Sequence, residues 1–146
     1  MGATGFTANF QKGMNAAKRG DYETAIREWK PLAERGDVKA SYYMGRIYRL
    51  GKGVPKDYER AFELFKFAAK KGNLRAQNNL AVMYSKGQGV VQDYIFAHMW
   101  WSIAASHGSK EGYKYKGIVE KVMAPYEIKK AQKLARECVE NNYEGC

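Results

Sequence analysis

The sequence is poor in the residues that build metal centres and cross-linked scaffolds. It holds two cysteines, Cys138 and Cys146, and two histidines, His98 and His107, in 146 residues. A structural zinc needs about four ligands, and the histidines lie far from the cysteines in the chain, so no metal site is expected. No apolar run approaches the roughly 18 to 20 residues of a membrane-spanning helix. The first residues carry neither a charged segment nor a long apolar stretch, so no signal peptide is visible. Phe6 stands where a myristoylation signal needs Ser or Thr. Acidic residues are scarce as well: 15 Asp and Glu face 25 Lys and Arg, a formal net charge of +10 with a pI near 9.6. The surplus is uneven, with 15 cations and 8 anions (net +7) in residues 1–72 and 10 and 7 (net +3) in residues 73–146. It suits an acidic partner or surface, or serves solubility. A hydrophobic content of 45% argues against disorder.

Signatures of catalysis are missing too. There is no HExxH and no GxxxxGK[ST]. None of Ser41, Ser85, Ser102, Ser106 and Ser109 begins a Ser-x-x-Lys motif. Gly51-x-Gly53 follows no strand, so it is not a phosphate cradle. His98 and His107 stand nine apart with no Cys or carboxylate motif beside them and read as ordinary helix residues. No catalytic residue, cofactor or enzymatic activity is expected.

What the chain does have is a period. The stretch from Ala40 to Gly72 recurs at a shift of 36. Ala40 becomes Ala76, Gly45 becomes Ala81, and Tyr48 becomes Tyr84. Gly51, Gly53 and Val54 become Gly87, Gly89 and Val90. Asp57-Tyr58 becomes Asp93-Tyr94, Ala61 becomes Ala97, Phe65 becomes Trp101, and Gly72 becomes Gly108. Shifted backwards, the second half returns as Asp21-Tyr22, Ala25, Trp29, Ala33 and Gly36. A fixed period of this length marks a solenoid. Residues 1–8 read as a frayed lead-in to one repeat domain over 9–146, with hairpins at about 9–36, 39–72, 74–108 and 110–139. Asp21, Asp57 and Asp93 suit N-caps, and Pro125 suits a helix start. Pro31 should bend its helix or locally break its hydrogen bonding, and Val54 should plug its loop into the core. Recurring small residues let helices approach, while Tyr48/Tyr84 and Phe65/Trp101 fill the gaps beside them. Trp101 shares the Phe65 register and is core. Trp100 has no core register, which leaves it packed on the next helix or at the surface.

These residues resemble the Sel1-like repeat, a relative of the tetratricopeptide repeat. Residues 40–72 follow its pattern with Met44 in a leucine position, residues 76–108 follow it with Ala81 for glycine, and residues 21–36 match the second half. The resemblance implies an all-α, right-handed α/α superhelix of stacked helical hairpins, closed from Ile128 onward by a capping helix. It also implies an adaptor that binds protein or peptide. In such superhelices the first helix of each hairpin lines the concave face. Removing the core positions leaves Tyr42, Tyr43, Arg46, Arg49 and Leu50 in one repeat, and Asn78, Asn79, Val82, Ser85 and Lys86 in the next. Tyr and Arg are favoured interface anchors, and Asn can hydrogen-bond an extended backbone. From Val38 to Lys56 there are five cations, Lys39, Arg46, Arg49, Lys52 and Lys56, and no acid. This is either a solvated basic face or a groove for an acidic segment. Nucleic acid or another anionic polymer is the alternative partner, although no nucleic-acid motif is present.

Cysteine-rich members of that family pair cysteines eight apart, the spacing of Cys138 and Cys146. A continuous helix would hold the two about 12 Å apart, beyond the reach of a bridge. Asn141-Asn142 can supply the turn, because Asn tolerates left-handed φ. The alternative is a core Cys138 and a free Cys146. A bridge would contribute about 2.6 kcal/mol by the loop-entropy model. It would also imply an oxidising compartment, periplasmic or secreted, with the cytoplasm as the alternative.

Overall fold

Short polar side chains start most of the helices. Asn9, Asp21, Asp37, Asp57, Asn73, Asp93 and Ser109 each accept a hydrogen bond from the backbone N–H three residues on, which satisfies a donor that the first turn would otherwise leave open. The computed structural model describes residues 7–146; residues 1–6, most of the expected lead-in, lie outside the described residues. Among the described residues there are eight helices and no strand. They are α1 (Phe10–Lys18), α2 (Tyr22–Glu34), α3 (Val38–Leu50), α4 (Tyr58–Lys70), α5 (Leu74–Lys86), α6 (Tyr94–Ser106), α7 (Lys110–Glu120) and α8 (Pro125–Glu140). Each of α1 to α6 packs on the next, and α8 folds back onto α6. The result is a helical-repeat solenoid. Helix α2 runs through Pro31 without interruption; the proline sits in the last turns, where only one intrahelical donor is lost.

Within the α3–α4 and α5–α6 hairpins the loop is closed by the same two devices. Gly51 and Gly87 end α3 and α5 in the left-handed conformation, at φ 68° and 67°, which glycine adopts without a Cβ penalty. The N–H groups of Asp57 and Asp93 then donate to the carbonyls of Tyr48 and Tyr84, at 2.8 and 2.9 Å. Val54 and Val90 lie half-buried against the core. Beneath the loops, Tyr84 meets Phe62 edge-on and stacks on Phe96, both at 5.3 Å.

The core runs the length of the array. Trp29, Phe65, Leu80 and Trp100 are all but fully buried, worth about 2 kcal/mol or more each in apolar area removed from water. Small residues set the spacing. A Cβ on Gly45 would stand 2.8 Å from Phe65 Cε1. Gly13 does the same service under Trp29, where a Cβ would come within 2.9 Å of three indole atoms. The 36-residue period hides this match. The first hairpin lacks the four extra residues of the later loops, so Gly13 stands 32 residues before Gly45, while Trp29 keeps the full 36 to Phe65.

At the C-terminal end a disulfide joins Cys138 to Cys146, with the two Cα atoms 5.7 Å apart. The chain reverses through Asn142 and Tyr143, at φ 53° and 64°, and the Tyr143 N–H donates to the Cys138 carbonyl at 2.7 Å. The turn therefore falls one residue later than Asn141-Asn142 and includes an aromatic. A left-handed φ costs a non-glycine residue about 1–2 kcal/mol. Tyr143 meets that cost by stacking on Trp100, with ring planes 6° apart and centroids at 6.2 Å. Of the two readings open for Trp100, burial holds and surface placement does not, and what covers it is the terminal turn.

Candidate functional site

Residues 42, 46, 49 and 50 recur on one face of α3 at helical spacing. That face forms two adjoining hollows. The first, of about 420 Å3, is polar and lined by Tyr42, Arg46, Arg49 and Leu50 of α3, Arg75 and Asn79 of α5, and Glu111 of α7. The second, of about 280 Å3, lies between α1 and α3. Its walls include Met14, Tyr22, Trp29, Tyr43 and Ile47, with Lys18 and Lys52 at the rim. Arg46 and Leu50 line both. Together they make a groove along the first helices of the hairpins.

The arginines in it are partly fixed. Arg49 Nε donates to Gln88 Oε1 at 3.1 Å, reaching the loop of the following repeat. The Arg46 guanidinium lies 5.9 Å from the centre of the Tyr43 ring, within cation–π range. Asn79 spends one amide proton on the Arg75 carbonyl, at 2.8 Å. Three guanidinium groups thus face a polar hollow whose lining contains one carboxylate, Glu111.

The structure gathers Tyr42, Arg46, Arg49, Leu50 and Asn79 in one hollow and Tyr43 in the next, and it corrects several roles. Tyr42 was expected to project into the groove, but it is 6% exposed. Its ring is wedged between Tyr43 and Phe65, at 5.0 and 5.9 Å, so it forms floor. Asn78 was expected to bind a peptide backbone; it is 5% exposed, and its Nδ2 donates to Ser109 Oγ at 2.9 Å. It ties α5 to the start of α7. Tyr43 is half-buried, its ring 5.2 Å from Trp29 and 5.7 Å from Phe10, so it braces the hairpin as well as the groove. Val82 lies against the core, Ser85 Oγ donates to the Val82 carbonyl at 2.8 Å, and the exposed Lys86 lines neither hollow.

Sequence reasoning missed Arg75 and Glu111. Arg75 lies four residues before Asn79, on the same helical face, and that spacing was the available signal. Glu111 enters from another hairpin and had none. His98 also differs from an ordinary helix residue. It is fully buried, with Nε2 2.7 Å from Glu120 Oε2 and Nδ1 3.1 Å from Ser102 Oγ. It is a polar tie from α6 to α7.

A separate cleft of about 410 Å3 opens between α2 and α4. Its charged lining is balanced, Lys30 and Arg60 against Glu34 and Glu63, and Arg60 Nη1 is engaged by the Tyr48 hydroxyl at 3.1 Å. Among the described residues, no three His, Cys, Asp or Glu side chains are placed to hold a metal ion. No described helix is long and apolar enough to cross a membrane.

Comparison with known proteins agrees with this architecture. The family model for the Sel1 repeat matches residues 38–73 and 74–109, which are the α3–α4 and α5–α6 hairpins. A crystal structure of a protective antigen present in uropathogenic Escherichia coli strains, displaying an SLR fold, is similar with a TM-score of 0.84 at 25% identity, covering 90% of this chain and 30% of that one. A Sel1 repeat protein from Oxalobacter formigenes is similar with a TM-score of 0.72 at 28% identity, covering 76% of this chain and 46% of that one. The chain therefore spans less than half the length of either. No curated protein matches the sequence.

Proposed function

The chain carries two Sel1 repeats in a helical-repeat solenoid, and on that premise we propose that it is a non-enzymatic module binding a protein or peptide along the groove of its first helices, with preference for an acidic segment. The observation that carries this reading is the convergence of Arg46, Arg49 and Arg75 on a hollow with one carboxylate. Arginine pairs with carboxylates in two-point geometry, and such complementarity acts strongly on association rate and partner choice. The disulfide supports an oxidising setting, periplasmic or secreted, because cytosolic thiols are kept reduced. The similar structures come from bacteria, and there an oxidising setting means the envelope or the exterior.

The test is fluorescence anisotropy with a labelled decapeptide of Glu, Gly and Ser. Arg46→Glu/Arg75→Glu is expected to weaken binding at least tenfold, and Lys30→Glu, in the α2–α4 cleft, to leave it unchanged. Equal loss in both variants, or no loss in either, overturns the groove assignment. The +10 net charge favours a second reading, an anionic polymer on the basic face. Oligonucleotide binding at about 150 mM salt with a steep salt dependence and indifference to Arg46→Glu/Arg75→Glu would replace the first reading with this one.

A further inference from the structure

We infer that the groove reads two chemical features in one extended segment: a large apolar side chain, seated between α1 and α3, and acidic side chains beside it, held by the arginines. This rests on the acidic-segment reading above and specifies its partner.

The apolar hollow is built for one side chain. Met14 offers an adaptable surface, and Trp29 and Tyr22 supply aromatic walls. Its volume, about 280 Å3, lies just below the range of pockets that take drug-sized ligands. Its charged lining is Lys18, Arg46 and Lys52, with no acid among its lining residues. An apolar side chain entering there brings its flanking backbone under a cationic rim.

The two hollows share a wall made by Arg46 and Leu50, one helical turn apart. That wall is about 6 Å long, which an extended chain covers in about two residues. Leu50 is 50% exposed, an apolar edge that a bound chain would cover. The occupant is therefore a peptide in which a Leu- or Phe-class residue stands one to three positions from acidic residues. A purely acidic segment would leave the apolar hollow unused, and a purely apolar one would bring no carboxylate to the three guanidinium groups.

The experiment compares labelled decapeptides in a Gly/Ser background on the unaltered chain at physiological salt. One carries a Glu pair alone, one carries Leu alone, and two carry Leu with a Glu pair two positions before or after it. At least one composite peptide is expected to bind tenfold or more tightly than the Glu-pair peptide. Ala17 of α1 also lines the apolar hollow; Ala17→Trp, which fills it, should erase that advantage and leave binding of the Glu-pair peptide as it was. Composite and Glu-pair peptides binding alike would overturn this inference and leave the acidic-segment reading standing. Failure of every Glu-containing peptide would overturn both. The peptide comparison needs no variant, so it decides the matter even if Ala17→Trp does not fold.

Discussion

Reducing the Cys138–Cys146 bridge probes how the array is closed at its end. The bridge spans eight residues of sequence, and the loop-entropy model assigns about 2.6 kcal/mol to a closed loop of that size. The turn inside it is nearly balanced without the bridge. Tyr143 loses about 1–2 kcal/mol to its left-handed φ and regains about 0.5–1.5 kcal/mol by stacking on Trp100. The bridge is therefore the deciding contribution, and reduction should release the turn from α6. Unfolding entropy near 60 °C is about 2.1 cal/mol/K per residue, or about 0.3 kcal/mol/K for a chain of this length. A loss of 2.6 kcal/mol then lowers Tm by about 8 °C. Thermal melts with and without a phosphine reductant measure that shift. Tryptophan emission measures the release locally, because Trp29, Trp100 and Trp101 are all nearly fully buried and only Trp100 lies under the turn. At 25 °C, reduction should shift the emission to the red with the far-ultraviolet circular dichroism intact, and Trp100→Phe should remove the shift. A Tm change under about 1 °C with unchanged emission would refute the reasoning.

Two further outcomes follow from the packing. Gly45→Ala brings a methyl group 2.8 Å from Phe65 Cε1; overpacking of about 1–3 kcal/mol outweighs the roughly 1 kcal/mol of helix propensity gained, so the urea midpoint should fall, and Phe65→Leu in the same chain should recover part of the loss. A higher midpoint for Gly45→Ala alone would contradict this. Burial, and then Asp93 and Glu63, raise the Tyr84 hydroxyl above its ordinary value of 10.0; its share of stability is present below pH 10 and is lost as pH rises through the raised value, because the unfolded chain ionises first. Tm should fall less steeply above pH 10 in Tyr84→Phe than in the parent, and equal slopes would count against the buried hydroxyl.

Much of the architecture was legible because it is written twice. The shift of 36 fixed the hairpins, and Asp57/Asp93 with Gly51/Gly87 marked where the helices begin and end; each of these is a local rule about caps and left-handed turns. The first hairpin was harder, since four missing loop residues shift Gly13 out of the period while Trp29 stays in it. The groove was half legible. Arg46, Arg49 and Leu50 follow from helical spacing on α3, but Tyr42 and Asn78 were placed outward although Phe65 of α4 packs on the first and Ser109, at the start of α7, holds the second. Subtracting one helix's core positions does not reveal what the next helix covers. Arg75 and Glu111 come together with them only through stacking, and the His98–Glu120 tie joins residues 22 apart that share no motif.

The most direct test of the account is a backbone amide nuclear magnetic resonance titration of the oxidised protein with the Glu-pair decapeptide. The account predicts shift changes concentrated at Arg46, Leu50, Arg75 and Asn79, with Glu34 and Phe67 of the α2–α4 cleft unmoved. Changes centred on that cleft, or spread evenly over the basic surface, would contradict it.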